Sequence, residues 1–361
     1  MTCDRVGIAM IGAGFIADYH LAGLQAAGGA DVRLVASRDA GKAGRLAQRY
    51  GCGSATGDWR HALDRPDVDA VVIATPDPTH EEIAVAAAAA GKAILLQKPM
   101  AGSVAACRRI IAAAQAAGVD LQVSFMHRYF EEVLWTRTGL ADGVIGRLRS
   151  LRIRNATPGP DWGGWFFDSA NVANGVIDQL GVHGIDLVMQ LVGPIRDVSA
   201  RVETLVPQRR LQDGRTVPVR VPDTALASYA FDDGLVGSHE MSMIESQGCD
   251  RFRLELYGEA GTMWLRTERG QLAVWAPSRY GPRWHVPDLP ATPPGSRLHA
   301  DWLAGVTGTA PRGHTAQEAL AGMQVVEAIR RSAGQASARV VVDTGDSGDE
   351  DMAAAAEVPD A

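Results

Sequence analysis

Lys98 is one of only three lysines among 35 basic residues, the others being Lys42 and Lys92. It closes an apolar run of strand length, "AILLQKPM", directly before Pro99. Arginine supplies nearly every other positive charge, so a lysine at the mouth of an apolar strand points to work that a planar guanidinium does badly. A compact ammonium can donate to hydroxyl oxygens and shifts its pKa when desolvated. A second candidate is His183, in "NGVIDQLGVHGIDL". A hydride leaving an alcohol carbon requires a base for the hydroxyl proton, and imidazole titrates near neutral pH. Each residue also has a plainer reading: a snorkelling surface amine for Lys98, a buried helix histidine bonded to backbone for His183. Asp186, three residues beyond His183 on the same helical face, could orient the ring or be a solvated acid.

A phosphate-binding turn accompanies these residues. "IGAGFIADYH" sets Gly12, Gly14 and Ala17 in a G-x-G-x-x-A pattern, with Phe15 and Ile16 between the last two. A turn without side chains lets a pyrophosphate approach the backbone, and the following helix N-terminus favours its charge. A tight strand-to-helix turn is the alternative. The next strand ends "VASRD", where an NAD enzyme usually places an acid for the ribose 2′-hydroxyl. Ser37 and Arg38 stand there instead, with Asp39 one step beyond. A hydroxyl and a guanidinium suit a 2′-phosphate, so the expected cofactor is NADP, with NAD as the alternative. "ATPDPTH" follows a further strand and brings Ala74, Thr75, Pro76 and His80 to the same rim as Gln97 and Lys98.

These residues need a frame. Over residues 1–124 apolar runs of strand length ("RVGIAMI", "DVRLVAS", "DAVVIATP", "KAILLQKP", "LQVSF") alternate with helical stretches, which predicts a doubly wound parallel sheet covered on both faces. Over 125–342 one or two helices precede strand-like runs joined by short Gly or Asp turns, which predicts an α+β domain with an open, largely antiparallel sheet. The late helix at about 314–334 is expected to pack back on the body. The stretch 343–361 carries seven acids and no base, and reads as an acidic disordered tail. It accounts for the net charge of −7. The body is near neutral without a basic block, which excludes a nucleic-acid partner. "IAVAAAAAG" is about half a membrane span, so no membrane partner is expected. The four cysteines are widely spaced and read as reduced thiols of a cytoplasmic protein. The histidines at 20, 80 and 127 have no metal-ligand spacing, so no metal is expected. No Ser/His/Asp or Cys/His triad can be assembled.

Taken together, "GAGFIA", "ATPDPTH", "QKPM" and "GGWFF…NGVIDQLGVHGIDL" resemble the glucose–fructose oxidoreductase / inositol dehydrogenase / MocA family over roughly residues 5–340. The resemblance implies a Rossmann domain, a C-terminal sheet that supports homo-oligomers, and NAD(P)-dependent oxidation or reduction at a hydroxyl or carbonyl carbon of a sugar, cyclic polyol or sugar derivative. Its Glu-Lys-Pro motif maps its lysine onto Lys98, which would contact cofactor and substrate, while Gln97 replaces the glutamate. That removes a negative charge beside Lys98 and favours the neutral amine. The Asp-x-Gly-x-His motif maps onto Gly181 and His183 but places Gln179 at the acid position, with Asp178 one residue earlier. On an ideal helix Asp178 points about 100° away from Gln179. Either the turn starts late and Asp178 reaches the substrate from an irregular backbone, or Gln179 binds a hydroxyl as a neutral partner; the second is favoured because an amide both donates and accepts, and Asp178 would then hold the loop or bond a second hydroxyl. The resemblance also brings His127 and Arg128, in "SFMHRYF", to the substrate side. Trp165, in "PDWGGWFFD", is either a sugar platform or core. Two other functions stay open: an enzyme that retains its cofactor and cleaves or eliminates a glycoside by transient oxidation, and a non-catalytic dinucleotide sensor.

Overall fold

The computed structural model describes residues 5–247, 251–267, 270–310 and 315–344. The expected acidic tail lies almost wholly outside these residues.

The first sheet contains β1 (Val6–Ile11), β2 (Ala30–Ala36), β3 (Ala55–Thr56), β4 (Ala70–Ile73), β5 (Ala93–Gln97) and β6 (Leu121–Ser124), in the order β3-β2-β1-β4-β5-β6. Every pairing is parallel. The crossover helices are α1 (Phe15–Ala27), α2 (Ala40–Tyr50), the single turn α3 (Arg60–Leu63), α4 (His80–Ala89) and α5 (Val104–Ala117). Helices on both faces explain why β1 and β4 are buried at every position and apolar without alternation. The strand order reverses between β1 and β4, and the carboxyl ends of those strands open the crevice where such sheets bind ligands. Gly12 makes that crevice: its φ is +115°, and a Cβ there would fall 2.2 Å from the carbonyl oxygen of Ala74. Only glycine lets the exits of β1 and β4 touch.

After α6 (Glu131–Ala141) come β7 (Leu148–Ala156), α7 (Val182–Val192) and β8 (Asp197–Glu203). A small hairpin of β9 (Gln208–Arg210) and β10 (Thr216–Pro218) stands apart. The remaining strands are β11 (Thr224–Ala230), β12 (Val236–Ser242), β13 (Phe252–Gly258), β14 (Thr262–Arg266), β15 (Gln271–Trp275), β16 (Trp284–His285) and β17 (Val340–Val341). Nine of these form one sheet, ordered β16-β15-β14-β13-β7-β12-β11-β8-β17. All its pairings are antiparallel except β7 with β12. β11 alternates buried and exposed positions, the pattern of a sheet covered on one face. The two-residue strands β3, β16 and β17 and the β9–β10 hairpin were not expected, because so few residues show no periodicity.

Three later helices follow β15: the single turn α8 (Pro277–Tyr280), then α9 (Ser296–Val306) and α10 (Ala316–Gly334). α10 packs on β8, α7 and α5 and so touches both halves of the molecule. α9 returns to α1, where His20 Nδ1 and His299 Nε2 lie 3.0 Å apart in the interior. His299 Nδ1 lies 2.7 Å from the Gly295 carbonyl, so it carries the proton there and Nε2 accepts from His20. Among the described residues no helix is long and apolar enough to cross a membrane.

Candidate active site

β5 delivers Lys98 to the rim half-buried, and the Lys98–Pro99 peptide is cis. The buried Gln97 turns its side chain back, accepting from the Lys98 backbone N–H at 2.7 Å. His80 is fully buried at the start of α4. Its Nδ1 lies 3.0 Å from the Pro99 carbonyl and its Nε2 3.0 Å from the Thr75 carbonyl. The cofactor contact expected of His80 gives way to a structural role, in which the ring ties the loop after β4 to the loop after β5. It does so because the side chain of the first α4 residue points under the rim. Gln97 is likewise drawn into holding the Lys98 backbone.

The opposite wall begins with a single turn of π-helix, Ile177–Gly181, running into α7. The Lys98 ammonium donates from Nζ to the backbone carbonyl of Gln179 at 2.8 Å. Asp178 is fully buried. Its carboxyl accepts from the Asn174 backbone N–H and from Asn174 Nδ2, both at 2.9 Å. Burial pushes its pKa up to about 7; the Asn174 bonds and Lys98 oppose the rise, and Asp77 adds to it. Asp178 thus ties down the loop through Asn174, while the Gln179 side chain donates to the Phe166 carbonyl at 3.3 Å, in a turn that an ideal helical wheel does not contain.

His183, in the first turn of α7, is buried, with burial and then the Lys98 charge holding its pKa well below the usual imidazole value. Its Nδ1 has no hydrogen-bond partner among the described residues. The His127 ring stacks on it, centroids 4.4 Å apart and planes at 17°, and His127 Nδ1 meets Thr267 Oγ1 at 3.2 Å. His127 is only 1% exposed, so it supports the His183 ring where substrate contact was expected. Arg128 is also corrected. It is buried against Asp186, with Nε 2.8 Å from Oδ2 and Nη2 on Oδ1, and its Nη1 reaches Glu318 at 2.5 Å. A buried guanidinium requires such partners. Asp186 thus serves Arg128 and does not orient His183.

Asp77, half-buried in the loop after β4, does not stand out in the sequence. Desolvation raises its pKa to about 6 against the pull of Lys98. Two carboxyls with raised pKa values therefore flank one amine, an arrangement suited to moving and holding protons near neutral pH. The only sequence signals are an acid inside the rim segment "ATPDPTH" and an asparagine opening "NGVID".

The cofactor side of the crevice fits a dinucleotide. A Cβ at Gly14 would meet nothing within 4 Å, and α1 begins without a side-chain cap, so its first N–H groups are available to an anion. Ile16 is half-buried against the core of this half, and Phe15 is 66% exposed. The Phe15 ring meets Trp162 edge-on at 5.1 Å, Trp162 meets Phe166 at 4.6 Å, and Trp165 stacks on Phe166 at 3.7 Å. This aromatic chain joins the glycine turn to the segment before the π-turn. At the end of β2, Ser37 is half-buried and Arg38 exposed. Asp39 is engaged as the N-cap of α2, accepting from Lys42 N–H at 3.0 Å. Ala74, Thr75 and Pro76 line the exit of β4. Among the described residues no group of three or more His, Cys, Asp or Glu side chains could hold a metal.

Comparison with known proteins agrees with this architecture. Residues 6–125 match the model of an oxidoreductase family with an NAD-binding Rossmann fold, and residues 133–264 match the GFO/IDH/MocA C-terminal domain. Levoglucosan dehydrogenase of Pseudarthrobacter phenanthrenivorans is 30% identical over 294 residues, covering 74% of this chain and 75% of that protein. Inositol 2-dehydrogenase of Acidothermus cellulolyticus is 33% identical over 273 residues, with the same two shares. The solved structure of a levoglucosan dehydrogenase in complex with NADH and L-sorbose superposes with a TM-score of 0.85 at 25% identity, covering 94% of this chain and 99% of that one. These relatives are dehydrogenases, and the fold, the two family domains and the shared architecture leave one assignment: the chain belongs to the Gfo/Idh/MocA family of NAD-binding oxidoreductases.

Proposed function

We propose that the protein oxidises a ring hydroxyl of a cyclic polyol, sugar or anhydrosugar, with Lys98, Asp178 and His183 as its catalytic residues. The observation that carries this reading is a bond across the crevice: the Lys98 amine after β5 donates to the Gln179 carbonyl in the π-turn, the turn in which Asp178 is buried and which runs into α7 with His183 in its first turn. The names of the relatives, levoglucosan and inositol dehydrogenases, support the substrate class. When bound, the nicotinamide supplies the hydride acceptor. The protein's part is proton handling and orientation. His183, neutral because burial and Lys98 oppose its charge, is competent to take the hydroxyl proton. Lys98 donates to the same oxygen and favours the alkoxide. Asp178 ionises about neutrality, where its charge balances Lys98 from within the interior while Asn174 holds its carboxyl. Trp165, 37% exposed on its stack with Phe166, offers a face to the C–H side of a sugar ring.

Gly12, Gly14, Phe15, Ile16 and the Ala74–Pro76 loop hold the dinucleotide, and Ser37 with Arg38 selects NADP. The support for NADP is that Asp39 is occupied as a helix cap and leaves no carboxylate at the end of β2 for a ribose 2′-hydroxyl. Related solved structures are complexes with NADH and with NAD, so NAD is the competing cofactor. Residues 1–124 serve the cofactor and 125–342 the substrate and a second copy of the chain, in a cytoplasmic setting.

The test is cofactor reduction, followed with NADP and NAD in parallel, over a panel of inositols, aldoses, 1,6-anhydrosugars and glycosides. Stoichiometric reduction with one or more of the first three classes is expected. Glycoside cleavage without net cofactor reduction would replace this reading with the cofactor-retaining one, and binding without turnover would favour a sensor.

A further inference from the structure

We infer that His127 is a positioning residue: stacked flat on His183, it orients the catalytic imidazole by ring packing, where a hydrogen-bonded acid would ordinarily do so. The inference rests on the reading of His183 as the base that takes the hydroxyl proton. Such a histidine must aim one ring nitrogen, yet its second side-chain torsion has only a broad, soft preference. A carboxylate or carbonyl on the other nitrogen is the usual restraint. This site lacks it. His183 Nδ1 is buried with no hydrogen-bond partner among the described residues, and Asp186, three residues on, is taken by Arg128. With Nδ1 enclosed, Nε2 is the nitrogen left for the substrate.

Rings supply the restraint instead. The His127 and His183 centroids are 4.4 Å apart with the planes at 17°. Phe252 stands edge-on to both, 4.5 Å from His127 and 5.6 Å from His183, and Phe130 tilts against His127 at 5.0 Å. Turning the His183 ring would drive its edge into the flat face of His127, and a packed interior has no room for that. His127 is itself held in place. Its Nδ1 meets Thr267 Oγ1 at 3.2 Å, and the next residue, Arg128, is tied to α7 through Asp186 and to α10 through Glu318. Charge acts in the same direction. Two buried imidazoles in contact disfavour a proton on both, which helps to keep His183 neutral and ready to accept.

Two substitutions separate ring packing from other roles of His127. His127→Phe keeps a planar ring without nitrogens, and His127→Leu keeps apolar bulk without a plane. On a panel substrate that the parent oxidises, His127→Phe is expected to hold kcat within about threefold and His127→Leu to lower it about tenfold or more, with KM within about twofold in both. Equal losses of kcat in the two would assign the effect to the ring nitrogens and overturn the inference. A raised KM with kcat kept would overturn it in favour of substrate contact, and parental kcat in His127→Leu would overturn it outright. A second measurement needs no turnover. In protein labelled with ¹³C at the imidazole Cε1, His183 is picked out of the nine histidines as the resonance missing from His183→Asn. Its proton, shielded by the stacked ring, should move downfield in His127→Leu and not in His127→Phe. No movement in His127→Leu would refute the stack. Should that variant show no melting transition, His127→Phe decides: a downfield move there overturns the inference and its absence upholds it. If the parent turns over nothing on the panel, the catalytic reading of His183 fails by itself, and the resonance still decides whether His127 sets the ring.

Discussion

At the scale of residues, the proposed chemistry rests on the Lys98 amine and the buried His183 imidazole, with Asp77 and Asp178 as carboxyls whose pKa values burial raises. Lys98→Met keeps the aliphatic stem and removes the charge, so cofactor binding should persist while kcat falls by about 10² or more. Turnover within about twofold of the parent in steady-state assays would return Lys98 to the role of a surface amine. Residue type and strand position make Lys98 and His183 stand out in the sequence, as a rare lysine among arginines and an imidazole beside glycines. Spacing does not choose between Asp178 and Gln179, because it leaves an irregular backbone open and the π-turn rests on a backbone hydrogen bond that residue types do not announce. Arg128 escapes the sequence for a related reason: its partners Asp186 and Glu318 lie 58 and 190 residues away along the chain, and only folding brings them to it.

At the scale of elements, four strands of the parallel sheet each place a small group at the same rim. β1 ends in the glycine turn, β2 in Ser37 and Arg38, β4 in the Thr75 loop and β5 in Lys98. These ends are readable because continuous apolar runs bounded by glycine and proline admit few other assignments. The proposed choice of NADP at β2's end rests on a cap: Asp39 is bonded to the Lys42 N–H, and Arg38 is the charged side chain left beside it. Arg38→Ala should therefore weaken NADP binding by about 1–3 kcal/mol, the scale of a charge-assisted hydrogen bond, and leave NAD binding nearly unchanged. Fluorescence titration of both cofactors checks this, and equal losses would remove Arg38 from cofactor choice. The rim loops themselves are braced from below by His80, a role that its motif could not announce because both ring partners are main-chain carbonyls.

At the scale of the whole molecule, the candidate active site is a seam. The amine belongs to the first sheet's rim, the carboxyl and imidazole to the turn and helix beside the second sheet, and α9 and α10 bind the halves together. The aromatic chain from Phe15 to Trp165 crosses the same seam. The nine-stranded sheet turns its other face outward. There Leu226 and Val236, each 54% exposed, sit among charges of both signs, including the Arg154–Glu240 and Arg152–Glu255 pairs. Such a face can complement a second copy of itself. Light scattering should give a mass of at least two chains of 38.2 kDa, lowered by Leu226→Arg, whereas a monomeric parent would contradict an interface on this sheet. The late return of α9 to α1 is not legible, because its apolar spacing predicts a buried face and not which helix covers it.

The central claim is that Asp178, raised by burial, governs proton movement at the Lys98–His183 site, and a pH profile of kcat/KM tests it most directly. The group ionises about pH 7, so alcohol oxidation should rise with pH through that value, as Asp178 loses its proton, and carbonyl reduction should fall over the same interval. Asp178→Asn should flatten this limb and lower the plateau by about 10². A profile in Asp178→Asn that keeps the parent's inflection near 7 would contradict the account.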